Sequence, residues 1–228
     1  METHHDGHRQ RLRQRFRAEG LDNFHDLNVL ELILFYAIPR KDTNPIAHAL
    51  LERFGSLTAV LEARPEDLAA VEGVGQETAT YLTLFPHVMR RYLKDSNSVG
   101  KILRTTEECG NYLVPYFLMA RDELVYLLCL DGKCKVLDCV LVHRGSVNSA
   151  AVSIRKIVET ALRVNASSVV LAHNHTSGVA LPSAEDRYTT EKLDAALSAV
   201  GIQLADHIIV AGDDFISMSA DGISFSKI

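Results

Sequence analysis

The hydrophobic period of this chain changes once, near residue 95, and that change limits the fold more than any single motif does. Up to Leu93 apolar residues recur at three- and four-residue intervals, as in Leu27, Leu30, Ile33 and Leu34, and again in Ala47, Leu50, Leu51 and Phe54. That interval is one face of a helix. Glycine and proline punctuate the pattern at Gly20, Pro39, Pro45, Gly55, Pro65, Gly73 and Gly75. The polar stretch Asp95-Ser-Asn-Ser-Val-Gly100 predicts a linker. Beyond it, residues 123–130 (ELVYLLCL) predict a strand and residues 135–143 (KVLDCVLVH) its return. Asp131-Gly132 between them signals a hairpin turn, with the glycine taking the positive φ such turns need. An amphipathic helix is expected over 151–164, a short buried strand over 167–172, a long helix over 184–200 and a strand over 205–210. This alternation predicts a layered α/β domain over 101–228, preceded by an all-α domain over 1–95.

Composition narrows the class. Of 228 residues 47% are hydrophobic and 23% charged, which excludes a disordered tail or a fibre. The net charge of −5 means that any nucleic-acid contact must come from a local patch. No apolar run approaches the roughly 18 residues of a membrane span, and the N-terminus METHHDGHRQ lacks an apolar signal core. The expected location is therefore the cytoplasm, with no membrane contact. Cys109, Cys129, Cys134 and Cys139 include no C-x-x-C pair and are read as free thiols.

The chemistry concentrates in Leu171-Ala-His-Asn-His-Thr-Ser-Gly-Val-Ala-Leu-Pro-Ser-Ala-Glu-Asp186. In an extended backbone His173 and His175 point to the same face and can reach one ion at a strand end, while Asn174 points to the other, toward packing or loop hydrogen bonds. Ser183 is a good N-cap, and Asp186 then stands at N3 of the helix, where its carboxylate can face back toward the strand. Two imidazoles and a carboxylate would hold Zn²⁺ with a fourth position open, the arrangement of catalytic zinc. Taken singly, H-x-H is more often a pair of hydrogen-bonded imidazoles, and S-x-x-D is usually a capping box. Their joint occurrence around a glycine-bearing turn is what points to metal. The letters His-Asn-His do not make a nuclease motif, whose residues lie far apart.

The spacing H-x-H-x7-S-x2-D, as His173, His175, Ser183 and Asp186, is similar to the JAMM motif of MPN+ metalloprotease domains. The surrounding text resembles the RadC family, the bacterial proteins long labelled DNA repair proteins. Gly145-Ser-Val-Asn-Ser149, Ser177-Gly178, Pro182-Ser183 and Asp206-His-Ile-Ile209 carry that likeness over the second half. Thr176 stands where the family usually has Pro, a residue that ligates nothing. The resemblance implies an MPN/JAMM-type layered sheet, like that of cytidine deaminases, with an all-α N-terminal domain. It implies one Zn²⁺, a peptide or protein substrate, and Glu123 as the non-ligand base that takes a proton from the attacking water. Ser183 would support the oxyanion; a purely capping serine is the alternative, as a strand-edge charge is for Glu123. Asp206 and His207 are candidates for orienting a ligating imidazole, against an equally open structural role. A zinc deaminase is set aside, because H-x-E with P-C-x-x-C is missing.

The helical half has two further features. Val71-Glu-Gly-Val-Gly-Gln-Glu-Thr-Ala-Thr-Tyr-Leu82 resembles a helix-hairpin-helix, in which Gly73 and Gly75 would bring backbone N–H groups to a DNA phosphate. Glu72 and Glu77 oppose that role, and a plain helix–helix turn is the competing reading. Arg9, Arg11, Arg13, Arg15 and Arg17 form a basic run, predicted to dock through Leu12 and Phe16 with most arginines outward. Two functions follow: a zinc metallohydrolase, or a non-catalytic DNA-associated protein acting in repair or recombination.

Overall fold

A computed structural model describes residues 4–97, 99–145, 153–176, 178–212 and 214–220. The quoted stretches 146–149 and Ser177 lie outside them. The chain divides into two compact units, residues 1–89 and 90–228. The first contains α1 (His4–Glu19), α2 (Asp26–Ala37), α3 (Asn44–Phe54), α4 (Leu57–Glu62), α5 (Pro65–Ala69) and the start of α6 (Gln76–Ser96). The second holds α7 (Thr106–Phe117), β1 (Leu124–Leu130), β2 (Val136–Arg144), α8 (Ile154–Arg163), β3 (Ser168–Asn174), α9 (Ala184–Ser198), β4 (Gln203–Ala211) and β5 (Asp214–Ser217). The division falls inside α6, and that helix runs through Asp95 and Ser96, the first residues of the expected linker.

The helical unit closes around Leu30, Leu34, Ala47 and Leu50, four of the residues whose spacing marked helix faces, together with Val60, Leu68 and Leu82. Helix α1 docks on α2 through Leu12, which packs with Leu32 and Phe35. Phe16 does not join it and is 42% exposed. Arg11, Arg15 and Arg17 face outward as expected, and the anchor beside Leu12 is instead the buried Arg9. Its guanidinium donates to the carbonyls of Phe35, Ile38, Pro39 and Lys41, acceptors that the end of α2 and the following turn leave without helical partners. Between α5 and α6 the turn uses Gly73 at φ +86, where a Cβ would also meet Ile46 at 2.8 Å.

In the second unit a five-stranded sheet runs in the order β2-β1-β3-β4-β5 among the described residues. Strand β1 is antiparallel to β2 and β3, β3 is parallel to β4, and β4 is antiparallel to β5. Alternation sends Leu128, Val170, Ala172, Ile208 and Val210 toward Tyr112, Leu113 and Phe117 of α7. It sends Val125, Leu127, Val169 and Leu171 toward Ile157, Ala161, Leu193 and Leu197 of α8 and α9. Every residue of β1 is buried, which is why it reads as one apolar run.

The β1–β2 hairpin corrects one expectation. Its left-handed residue is Cys134 at φ 60, not Gly132. The Asp131 carboxylate accepts from the amides of Lys133 and Lys135, and its carbonyl accepts from Cys134. That longer Asp-centred loop moves the turn's strain two residues along. The cysteines are unpaired. Burial pushes the thiols of Cys109, Cys129 and Cys139 each up to about 12.

Helix α7 meets β5 at Gly110, where a Cβ would fall within the ring of Phe215. Gly110→Ala should therefore destabilise the protein by about 1–3 kcal/mol, although alanine is the better helix former. Thermal denaturation checks this, with a lower midpoint expected.

Candidate metal centre

The parallel crossover from β3 through α9 to β4 assembles the centre. His173 lies on β3, on the face that packs against α9, and is 3% exposed. His175 follows the strand's end and stays with β4 through its amide, which donates to Val210 O at 3.0 Å. Ser183 caps α9 as the sequence predicts. Its hydroxyl accepts from the Asp186 amide at 3.1 Å, and the Ser183 amide donates back to the Asp186 carboxylate at 2.8 Å. This reciprocal cap turns the buried Asp186 toward the imidazoles. Its carboxylate oxygens stand 3.1 Å from His173 Nε2 and 3.5 Å from His175 Nε2. The two Nε2 atoms are 2.9 Å apart.

The hydrogen bonds fix where the protons lie. Thr190 Oγ1 is 2.6 Å from the main-chain oxygen of Asp186, which can only accept, so the hydroxyl proton is committed there. Its lone pair then faces His207 Nδ1 at 2.6 Å, and that nitrogen carries the hydrogen. Complete burial, reinforced by the nearby His173, holds His207 well below the ordinary 6.5, so its ring is neutral and Nε2 is bare. His173 Nδ1–H donates to that nitrogen at 2.8 Å, and its Nε2 turns toward His175 and Asp186. His175 Nδ1 donates to Val179 O at 3.1 Å, and its Nε2 is likewise turned into the centre.

The centre thus turns one ligand atom from each of three side chains toward a common point, all within 4.8 Å of one another. Burial works to raise the Asp186 carboxyl, but the His173 imidazole and the Ser183 hydroxyl and amide outweigh it and hold the group well below the usual carboxylate range. Two donors about 2.0–2.1 Å from a tetrahedral centre stand about 3.3 Å apart; the separations here bracket that value. His173, His175 and Asp186 can hold a metal ion, with nitrogen and carboxylate donors that suit several divalent metals.

The structure separates the remaining candidates. His207 backs His173, whereas Asp206 turns to the α7 side of the sheet. There Asp206 accepts from Thr106, Ser217 and the amides of His207 and Ser219, a role in holding β4 and β5 together. Glu123 immediately precedes β1 and is half-buried. The hydroxyl of Ser183 donates to Asp186 Oδ2 at 2.6 Å, so its one proton serves the cap. Sequence reasoning missed Thr190, whose link to His207 spans 17 residues and leaves no local signal. Gly73 and Gly75 belong to the helical unit's turn; the basic run lines a groove of about 390 Å³ with Arg9, Gln10, Arg13, Gln14, Arg17 and Pro39.

The neutral, buried His207 makes the metal-free protein acid-sensitive. Below about pH 6.5 the unfolded chain protonates this imidazole and the fold does not, so the unfolded state binds more protons and stability falls. The expected loss from this group is about 1.4 kcal/mol between about pH 7.5 and about pH 5.5. Urea denaturation at both values should show a correspondingly smaller drop in His207→Gln.

With this geometry in view, the relatives are informative. A family model described as RadC-like JAB domain matches residues 103–223. The UPF0758 protein FN0909 of Fusobacterium nucleatum is 32% identical over 229 residues, covering 97% of this chain and 99% of its own length. The UPF0758 protein Bxeno_A3578 of Paraburkholderia xenovorans is 34% identical over 210 residues, covering 92% and 83%. No helix among the described residues is long and apolar enough to cross a membrane. The α/β half, with its histidine pair at the end of β3 and its aspartate in the capping box of α9, is an MPN-type JAB domain, and the chain belongs to the RadC-like JAB family.

Proposed function

We propose that this protein is a zinc-dependent hydrolase of the JAMM type, acting in the cytoplasm on a peptide or isopeptide amide. The observation that carries this reading is the convergence of His173, His175 and Asp186, whose ligand atoms all lie within 4.8 Å of one another at the buried end of β3. A divalent ion held there supplies Lewis acidity and makes water a nucleophile near neutral pH. Glu123 acts as the general base, receiving the proton of the attacking water and returning it to the leaving amine. Ser183 steadies the oxyanion when its hydroxyl turns from Asp186. His207 and Thr190 keep the His173 ring in the tautomer that leaves Nε2 free.

Elemental analysis of the purified protein should find about one zinc per chain. His173→Ala and Asp186→Ala should each lose it, and undiminished zinc in both would sink the ligand assignment. Glu123→Gln should keep the metal and cleave a peptide library about 10²–10⁴-fold more slowly than the native protein. Equal rates would remove Glu123 from the reaction.

A second reading, contact with nucleic acid, is favoured by the arginine-lined groove on α1 more than by the Gly73–Gly75 hairpin beside Glu72 and Glu77. Two phosphate contacts there would make log affinity fall with log salt at a slope of roughly −1.4 to −1.8. Fluorescence anisotropy with a labelled oligonucleotide should show that slope approach zero in Arg13→Gln/Arg17→Gln. A flat response in the native protein would exclude the contact.

A further inference from the structure

Strands β1 and β3 part at the mouth of the centre, and one side chain spans the gap. Their pairing ends at Val125 opposite His173. Two residues on, His175 follows β4, with its amide on Val210 O at 3.0 Å. Between those two points stands Asn174, 6% exposed, on the opposite face of the strand from both imidazoles. Its Oδ1 accepts from the Leu124 amide at 2.7 Å, and its Nδ2 donates to Asp122 O at 3.2 Å. Those are the peptide groups on either side of Glu123. Only one orientation of the carboxamide satisfies both contacts, since Leu124 N can only donate and Asp122 O can only accept.

A carboxamide is a peptide group on a short stem, and here it stands in for the missing rung of the ladder. The far side of the same residue is held too, because Glu123 O accepts from the Gly145 amide at 2.9 Å. The backbone of Glu123 is therefore pinned from β3 and from the end of β2, while the strands open beside it. A serine or threonine at position 174 is too short to meet both peptide groups. An aspartate would set a second acceptor against Asp122 O.

We propose that Asn174 is a positioning residue: by bonding the peptides on both sides of Glu123, it ties the placement of that carboxylate to the strand that carries the metal-binding imidazoles. The inference rests on reading Glu123 as the proton acceptor and names what holds it there. Asn174 touches neither metal nor substrate, so its removal should leave metal binding intact and disturb only the coupling of Glu123 to the centre.

The test uses the full chain loaded with cobalt(II), whose visible spectrum reports protonation at the ion. Three variants are compared with the native protein: Glu123→Gln, Asn174→Ala and Asn174→Ser. Both Asn174 variants should hold about one metal per chain. Their spectral pH midpoints should move in the same direction as that of Glu123→Gln, by at least about half a pH unit, a threefold change in the apparent acid constant. Hydrogen exchange at the Leu124 amide should quicken by about tenfold or more in Asn174→Ala. A midpoint shift in Glu123→Gln with none in either Asn174 variant overturns the positioning role and leaves the hydrolase reading standing. No shift in Glu123→Gln overturns both. Loss of metal from both Asn174 variants also overturns it, by assigning Asn174 to the ligands instead of to Glu123.

Discussion

Lone pairs that face one another in a buried place repel unless positive charge lies between them. The second unit of this chain is organised around that condition. His173 Nε2, His175 Nε2 and an Asp186 oxygen would be hydrogen-bond donors and acceptors in any ordinary polar cluster. Each is held from outside the centre: His173 Nδ1 bonds His207, His175 Nδ1 bonds Val179 O, and Asp186 accepts from the Ser183 cap. The chain from His173 through His207 and Thr190 returns to the backbone of Asp186, so two ligands from different elements share one set of hydrogen bonds. Such closure fixes tautomer and ring plane together.

The parts of the centre that could be read in the sequence are those whose physics is local. H-x-H on an extended backbone needs only two intervening bonds of geometry, and S-x-x-D needs only the first turn of a helix. Both appear as expected, as do β1, β2 and the layered arrangement of the sheet. Asp206 and His207 were equivalent from their letters alone. Alternation on β4 separates them, and only the register against β3 tells which one faces α9. Thr190 looked like any helix residue, because the partner that gives it meaning lies across the layer.

Two misread positions have the same origin. Phe16 is apolar and correctly spaced to join Leu12, but the buried partner of Leu12 on that face is Arg9, drawn in by the carbonyls left free beyond α2. Gly132 offered the obvious positive φ, but the Asp131 side chain organises a longer loop and places it at Cys134. In both cases a hydrogen-bonding requirement of the main chain outweighs a propensity that can be counted from composition. Helix α7 opens on the capping box of Thr105 and Glu108, whereas the short strand β5 carries no motif, and the two meet through a glycine whose smallness matters only once the Phe215 ring is beside it.

The buried thiols have a consequence for anyone handling this molecule. Cys109, Cys129 and Cys139 are packed in the sheet's two interiors or along its edge and keep their hydrogens at neutral pH. As protonated sulfhydryls they are poor nucleophiles and poor competitors for the ion. Alkylating reagents will find them sluggish while the chain is native and ready once it is denatured. The polypeptide therefore carries its own chemical gauge of integrity, one that can be interrogated without adding a chromophore or a tag.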